Sequence, residues 1–379
     1  MKDLTQLRAE IDQTDEQLLA LFKRRMALVQ EVAAYKSKNN LSVYQPDREE
    51  KLLERIGTLA GEELRVPAQM LFASLMDISK ASQQVVAPDG ALTQLLQQAA
   101  EHPQPVPEGA TVACAGVEGA YSYVAAGHLV SNPKRVCCER FEDVFAAVES
   151  GECLYGVLPL ENSSAGSVTQ VYDLLRKDGC YIVKSYNLKI THLLLGVPGA
   201  KVSDIRRVYS HPQALAQCSG FFSHNRGLSA QSYSTTAAAA QYVAQQGDKT
   251  AAALAGEDCA RLYGLTVLDT DVQNAENNYT RFILITKTPA VYQEADRIAL
   301  VLKLSHTPGS LYRLISRFAA RGVNLTKIES RPIPEVPFEF LFYFEFDGNI
   351  RQNNVRELLE SLSSELEYLR FLGNYRIDT

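Results

Sequence analysis

The stretch LLALFKRRMALVQEVAAYK, Leu18 to Lys36, decides how the amino-terminal part of the chain folds. Counted from Leu4, apolar residues occupy the a and d positions of successive heptads: Leu4, Leu7, Ile11, Leu18, Leu21, Leu28, Val32 and Tyr35. Neither Gly nor Pro occurs between Asp3 and Lys38. Such a repeat without breakers predicts one long amphipathic helix. A helix of ~35 residues is ~52 Å long, and two shorter helices cannot cover its seam. The pattern therefore predicts an intertwined dimer in which one long helix crosses another. Arg25 interrupts the seam at an a position. A charge there fixes register in a coiled coil, or snorkels to water, or grips an anion. Arg25 and Lys36 lie within ~20° of one face with Cα atoms ~16 Å apart, so their side chains reach one small anion. Arg8 is rotated ~100° from Arg25 and would have to serve such a site from the other subunit.

The helical character continues beyond this stretch. Pro46 followed by DREEKLLERI predicts a second helix with acids in its first turn. Gly57 and Gly61 predict a break, and Pro67 opens a third helix, AQMLFASLMDISKASQQVV. Residues 1–85 thus read as an all-helical domain. Residues 86–109 hold one short helical patch and a proline-rich end, and read as a linker. From 110 to 287, short apolar runs such as TVACAG, YGVLPL and KITHLLLGV alternate with helical patterns such as EDVFAAVESG. That is α/β organisation, in one large domain or two lobes. Residues 296–375 follow a β-α-β-β-α-β order, the pattern of an α+β ferredoxin-like fold.

The 379 residues carry a net charge of −6 with no long basic run, which argues against a general nucleic-acid binder. No apolar run approaches a membrane span. The amino terminus, MKDLTQLRAEID, has no apolar signal core, and seven dispersed cysteines suggest a reducing cytoplasm. No C-x-x-C pair or histidine cluster occurs, so neither a metal nor another cofactor is expected.

Arg48 and Glu49 at the start of the second helix, with Ser79 and Gln83 one turn apart on the third, complete a cationic pocket without a nucleophile. Such a pocket suits a reaction that needs conformational selection and charge stabilisation. These residues resemble the all-helical chorismate mutases across nearly all of residues 4–84. The resemblance implies that Arg8 of the partner subunit, Arg25 and Arg48 hold a dicarboxylate. It makes Lys36 and Gln83 face the ether oxygen, Glu49 meet the substrate hydroxyl, and Ser79 add a polar contact. Gln45 stands where relatives often carry an acid.

Four stretches of the middle segment are rich in Gly, small hydroxyls and amides: AGVEGAYS (Ala115–Ser122), LPLENSSAGSV (Leu158–Val168), YSHPQALAQC (Tyr209–Cys218) and NNYTRFILI (Asn277–Ile285). Each has a plain reading as a turn, a helix cap or a half-buried strand residue, and His211 before Pro212 reads as a structural turn residue. Together they are similar to prephenate dehydratase over residues 111–287. The resemblance implies two α/β lobes, as in periplasmic binding proteins, with the active site between them. Thr280 would be the catalytic proton donor. Asn162, Ser163, Ser210, Gln213 and Gln217 would orient substrate, with Ser122 in the Gly-rich loop. Glu161 would organise the site, and Arg281 would anchor the loop or a carboxylate. Val117 and Ala120 depart from the family's usual Pro and Thr or Ser.

HTPGSLYRLISRFAARGVNLTKIESRP resembles the ACT regulatory domains. Gly309, Ser310 and Leu311 occupy the family's Gly-Ala-Leu position, and Glu329, Ser330, Arg331 and Pro332 match its second motif. Two such domains would bind phenylalanine at their interface. The whole chain is thus similar to bifunctional chorismate mutase–prephenate dehydratases, at least dimeric and cofactor-free, with chorismate, prephenate and phenylalanine as its small-molecule partners. The rival readings are a non-catalytic sensor of aromatic metabolites, or a chain with only one of the two activities live.

Overall fold

The computed structural model describes residues 2–39, 46–82, 90–101, 103, 105–177, 179–333 and 336–379. The helical region comprises α1 (Leu4–Lys38), α2 (Pro46–Ser82) and α3 (Ala91–Glu101). The heptad count is realised as the uninterrupted α1. The second and third predicted helices run together as α2. It kinks at Gly61, whose φ of 73° and ψ of 170° are open to glycine, and Pro67 lies inside the helix instead of opening it. The helical patch in the expected linker is α3, which buries Leu96 and Ala99.

The α/β region follows as β1 (Thr111–Ala115), α4 (Tyr121–Leu129), β2 (Lys134–Cys138), α5 (Phe141–Ser150), β3 (Tyr155–Asn162), β4 (Gly166–Ser167), α6 (Thr169–Leu175) and β5 (Tyr181–Lys189). The chain then forms β6 (Leu193–Gly196), β7 (Arg207–Ser210), α7 (Pro212–Gln217), α8 (Ser219–His224), β8 (Ser229–Ser232), α9 (Thr236–Gln246), β9 (Ala251–Ala255), α10 (Glu257–Tyr263) and β10 (Thr266–Asp269). It returns as β11 (Tyr279–Thr286). The last region is β12 (Arg297–Lys303), α11 (Ser310–Ala320), β13 (Leu325–Pro332), β14 (Phe340–Asp347), α12 (Asn353–Glu365), β15 (Tyr368–Tyr375) and β16 (Ile377–Asp378).

The chain divides into two compact units. One holds residues 1–96 with 300–369. In it α11 lies against α2, and β13 pairs antiparallel with β14, which neighbours β12. The apolar face of α11 carries Leu314 and Phe318 into a core with Phe344 and Phe346.

The other unit holds residues 97–299 with 370–379. It has two lobes, each with its own sheet. The first sheet runs β5-β11-β3-β1-β2 and the second β10-β6-β9-β7-β8. The chain crosses to the second lobe after β5 and comes back to the first as β11, which lies antiparallel between β3 and β5. In the second lobe the all-buried strand Ala251–Ala255 packs under α9, whose TAAAA start is equally small. Alanines on both surfaces let the helix approach the sheet closely. Gly373 of the carboxy-terminal segment pairs with Ile182 on β5. A Cβ there would sit 2.1 Å from the Ile182 carbonyl oxygen, so no larger residue fits.

Candidate active sites

In the helical region the structure sets Arg25 against Ser79, and Lys36 near Arg48 and Glu49. Arg25 Nη1 donates to the Leu75 carbonyl at 3.0 Å and to Ser79 Oγ. Burial pushes the pKa of Arg25 down. It does the same for Lys36, where nearby Arg48 adds to the lowering and Glu49 opposes it. Lys36 and Ser79 are buried, Glu49 is half-buried, and Arg48 and Arg8 are exposed. A cation already partly stripped of water, beside another cation, is prepared for an incoming anion. Gln83 and Gln45 lie outside the described residues. The seam residues of α1 face solvent, Leu21 at 61% and Tyr35 at 65%, so the single chain does not cover them.

A neighbour of this pocket escaped the sequence reading. Lys80 Nζ lies 3.1 Å from Glu49 Oε2, 3.2 Å from Asp77 Oδ1 and 3.9 Å from Glu365 Oε2. Arg317 on α11 pairs with Glu365 and approaches Asp77 at 3.8 Å. Glu49, the carboxylate expected to meet the substrate, is thereby tied into a charge cluster that reaches α11 and α12.

The second site is a cleft of about 710 Å³ in the two-lobed unit. Its base is a cross-strand pair. Thr280 on β11 stands directly opposite Asn162 on β3, and both are buried. Asn162 Nδ2 donates to Thr280 Oγ at 2.9 Å. The Thr280 hydroxyl thus uses a lone pair on Asn162 and keeps its hydrogen for another acceptor. Ser122, Gln213 and Gln217 line the same cleft.

Four expected residues lie elsewhere, for reasons of pleat and packing. Glu161 and Arg281 are the next cross-strand pair, and successive residues of a strand face opposite sides. They form a 3.0 Å ion pair outside the cleft lining, with Arg281 buried. Ser163 ties a loop, donating to the Asn277 carbonyl at 3.1 Å and accepting from the Tyr279 N–H at 2.9 Å. Ser210 is buried and donates to the Leu254 carbonyl at 2.6 Å. His211 is the turn residue expected: it caps α7, its Nδ1 accepting from the Gln213 N–H at 3.2 Å, and it also lines the cleft.

The cleft lining contains residues at the amino ends of α4, α5, α6, α7 and α9: Ala120, Arg140, Val168, His211 and Thr235. The helix dipole makes such ends partly positive; α4 and α6 carry no side-chain cap, whereas His211 and Thr235 already accept an N–H of α7 and α9. Arg140 is the one Lys or Arg among the described lining residues. Glu139 lines the cleft beside it, so the charged side chains bring little net positive charge. Tyr121 and His192 also line the cleft, and Asn278 hydrogen-bonds Asn162 at its edge. The sequence signal for His192 was a polar residue inside the apolar run KITHLLLGV. Asn278 lies within NNYTRFILI, two residues before Thr280, and nothing in the sequence marks Arg140.

In the carboxy-terminal region, a pocket of about 630 Å³ is lined by Ser310, Leu311, Lys303, His306, Glu339 and Phe340 among others. Gly309, at φ 81°, precedes α11. The Ser310 hydroxyl closes the loop by donating to the Ser305 carbonyl at 2.7 Å. Glu329, Ser330 and Arg331 lie on β13, outside this lining.

Residues 7–84 match the family model for chorismate mutase type II, and residues 112–290 match that for prephenate dehydratase. The bifunctional chorismate mutase/prephenate dehydratase of Escherichia coli (strain K12) is 33% identical over 381 residues, 98% of this chain and 96% of that protein. The chain belongs to this bifunctional family. Arogenate dehydratase/prephenate dehydratase 2, chloroplastic, of Arabidopsis thaliana is 38% identical over 279 residues, 71% of this chain and 73% of that protein. Among solved structures, the prephenate dehydratase of Arthrobacter aurescens in complex with L-Phe superposes with a TM-score of 0.63 at 29% identity. It covers 70% of this chain and 89% of that one.

Proposed function

We propose that this member of the bifunctional family rearranges chorismate to prephenate in its helical domain. Its two-lobed domain then converts prephenate to phenylpyruvate, and phenylalanine bound to the last domain restrains that second step. In the first reaction Arg25, Arg48 and the partner subunit's Arg8 hold the two carboxylates. Glu49 receives the substrate hydroxyl. Lys36 and Gln83 stabilise the charge that grows on the ether oxygen during the intramolecular shift. The exposed seam of α1 supports pairing with a second copy, which completes this site.

In the second reaction the bond from the ring to the carboxylate breaks, and its electron pair enters the ring. The ring hydroxyl leaves as water with the Thr280 proton, carbon dioxide departs, and the Thr280 oxygen takes a proton back from solvent. The observation that carries this reading is the Asn162–Thr280 pair in a cleft edged by helix amino ends. The amide leaves the Thr280 hydrogen free, and the helix ends suit a dianionic substrate.

The last domain is read as an ACT domain. Gly309, Ser310 and Leu311 form one side of the effector site, and Glu329, Ser330 and Arg331 belong to the interface that two such domains share. The L-Phe complex of the Arthrobacter aurescens enzyme supports phenylalanine as the effector. We place the protein in the cytoplasm, where its seven free thiols stay reduced.

The two half-reactions, assayed separately with and without phenylalanine, test the proposal. Thr280→Ala is expected to abolish the dehydratase while the mutase keeps its turnover, and equal loss of both would refute the assignment. Phenylalanine is expected to lower dehydratase turnover; no change in either activity or melting temperature would refute the regulatory part.

A further inference from the structure

His192 ends the polar stretch before β6 and is only 2% exposed. Its ring nitrogens face different partners: Nε2 lies 3.1 Å from Gln217 Oε1, and Nδ1 lies 3.3 Å from the Tyr121 hydroxyl. The surrounding amides settle which nitrogen bears the hydrogen. Asn162 Oδ1 accepts from the backbone N–H groups of Ser164 and Ala165 at 3.0 and 2.9 Å. Its Nδ2 must then face Asn278 Oδ1, at 2.8 Å. Asn278 is left to donate through Nδ2 to Gln217 Oε1, at 3.0 Å. With the oxygen of Gln217 turned inward, the His192 Nε2 beside it has to be a donor. A neutral ring has one hydrogen, and burial pushes His192 towards the neutral form. Nδ1 is therefore bare, facing a tyrosine hydroxyl that donates to the Thr191 carbonyl at 2.8 Å. Gln217 Nε2 has no hydrogen-bond partner among the described residues, and Gln217 lines the cleft.

We propose that His192, as the Nε2–H tautomer, is a positioning residue of the dehydratase. It locks the Gln217 amide with its oxygen inward and its NH₂ turned to the substrate. Through Asn278 and Asn162 the same chain of hydrogen bonds holds Thr280 with its hydroxyl hydrogen free. This rests on the reading of Gln217 and Thr280 as dehydratase residues. Without His192 only Asn278 holds the Gln217 oxygen inward, and turnover of the amide, which presents an oxygen to an anionic substrate, becomes easier.

The test uses the full-length protein with His192→Leu and His192→Gln. Leucine removes the donor, while the glutamine amide nitrogen restores one near the Nε2 position. The leucine variant is expected to lose roughly tenfold or more in dehydratase kcat/KM, the worth of one positioned hydrogen bond. Glutamine is expected to recover most of that loss. Calorimetric unfolding of each variant reports whether the two-lobed unit that holds His192 has folded. Wild-type dehydratase activity in the leucine variant, or equal loss in both, overturns the proposal. A second measurement does not depend on a variant folding well. Nitrogen-15 spectra of the wild-type histidine rings, assigned by the signal lost in His192→Gln, are expected to show the Nε2–H pattern, and an Nδ1–H ring overturns it. Thr280→Ala, assayed alongside, separates the two levels. If it is inactive while His192→Leu is unimpaired, only the role of His192 falls; if it stays active, the underlying site reading falls.

Discussion

Asn162 and Thr280 come from motifs that stand 118 residues apart, ENSSAGSV and NNYTRF, and meet because β11 returns beside β3. Period-two alternation made their shared face readable once the pairing was known. It also explains why Glu161 and Arg281, their immediate neighbours, fall outside the cleft lining. Ser163 and Ser210 looked like substrate contacts because a hydroxyl in a motif carries no sign of its bonding partner. Only the fold shows their hydrogens already given to the Asn277 and Leu254 carbonyls. One buried and one half-buried imidazole lead to a prediction at this scale. Burial lowers the pKa of both His192 and His211. Between the folded value and the unfolded value of about 6.5, the unfolded chain binds more protons, so stability rises with pH there. Their contribution is complete above about 6.5 and is lost as the pH falls below it. Thermal unfolding from pH 7.5 down to 5.5 is expected to fall less steeply in a His192→Gln/His211→Gln protein than in the wild type, and parallel curves would contradict this.

The length and placement of α1 were legible because seven-residue periodicity without breakers leaves no competing structure. In its neighbour α2 the break expected at Gly61 is present, while Gly57 and Pro67 depart from expectation, both lying within the helix. Gly61 ends one straight segment, yet the helix resumes at once, and Pro67 is accommodated inside it. Local propensity is a weak prior that tertiary packing overrides, and here α2 lies against α11. The same packing makes the charge cluster of Lys80, Asp77, Arg317 and Glu365, which no spacing rule announces. Arg317 is 7% exposed and Glu365 12%. Replacing Arg317 by Met leaves Asp77 and the half-buried Glu365 with Lys80 and the nearby Arg321 as cations, and removing one partner of a buried pair costs about 3–5 kcal/mol at most here. Calorimetry of Arg317→Met is expected to show a clearly lowered transition; an unchanged one would mean the cluster is solvated.

For the whole molecule, the mutase reading makes an oligomer part of the chemistry. If Arg8 acts across the dimer, Arg8→Ala and Arg25→Ala are each inactive for different reasons. Hybrid dimers formed by mixing and exchanging the two proteins then contain one site with both defects and one with none. Mutase activity is expected to reappear, approaching a quarter of wild type when exchange is random. Its absence in verified hybrids would place all the cations of a site on one chain. The expectation of a shared site comes from the geometry of a single helix. The sequence conveyed much less about the cleft, because the amino ends of α4, α5, α6, α7 and α9 converge there only after the chain has crossed between lobes twice. That convergence has a practical consequence. Attraction built from peptide groups has no proton to lose and no side chain to truncate. Alanine scanning will therefore undercount what draws a dianion in, and the affinity of the cleft should change little over a pH range that silences histidines.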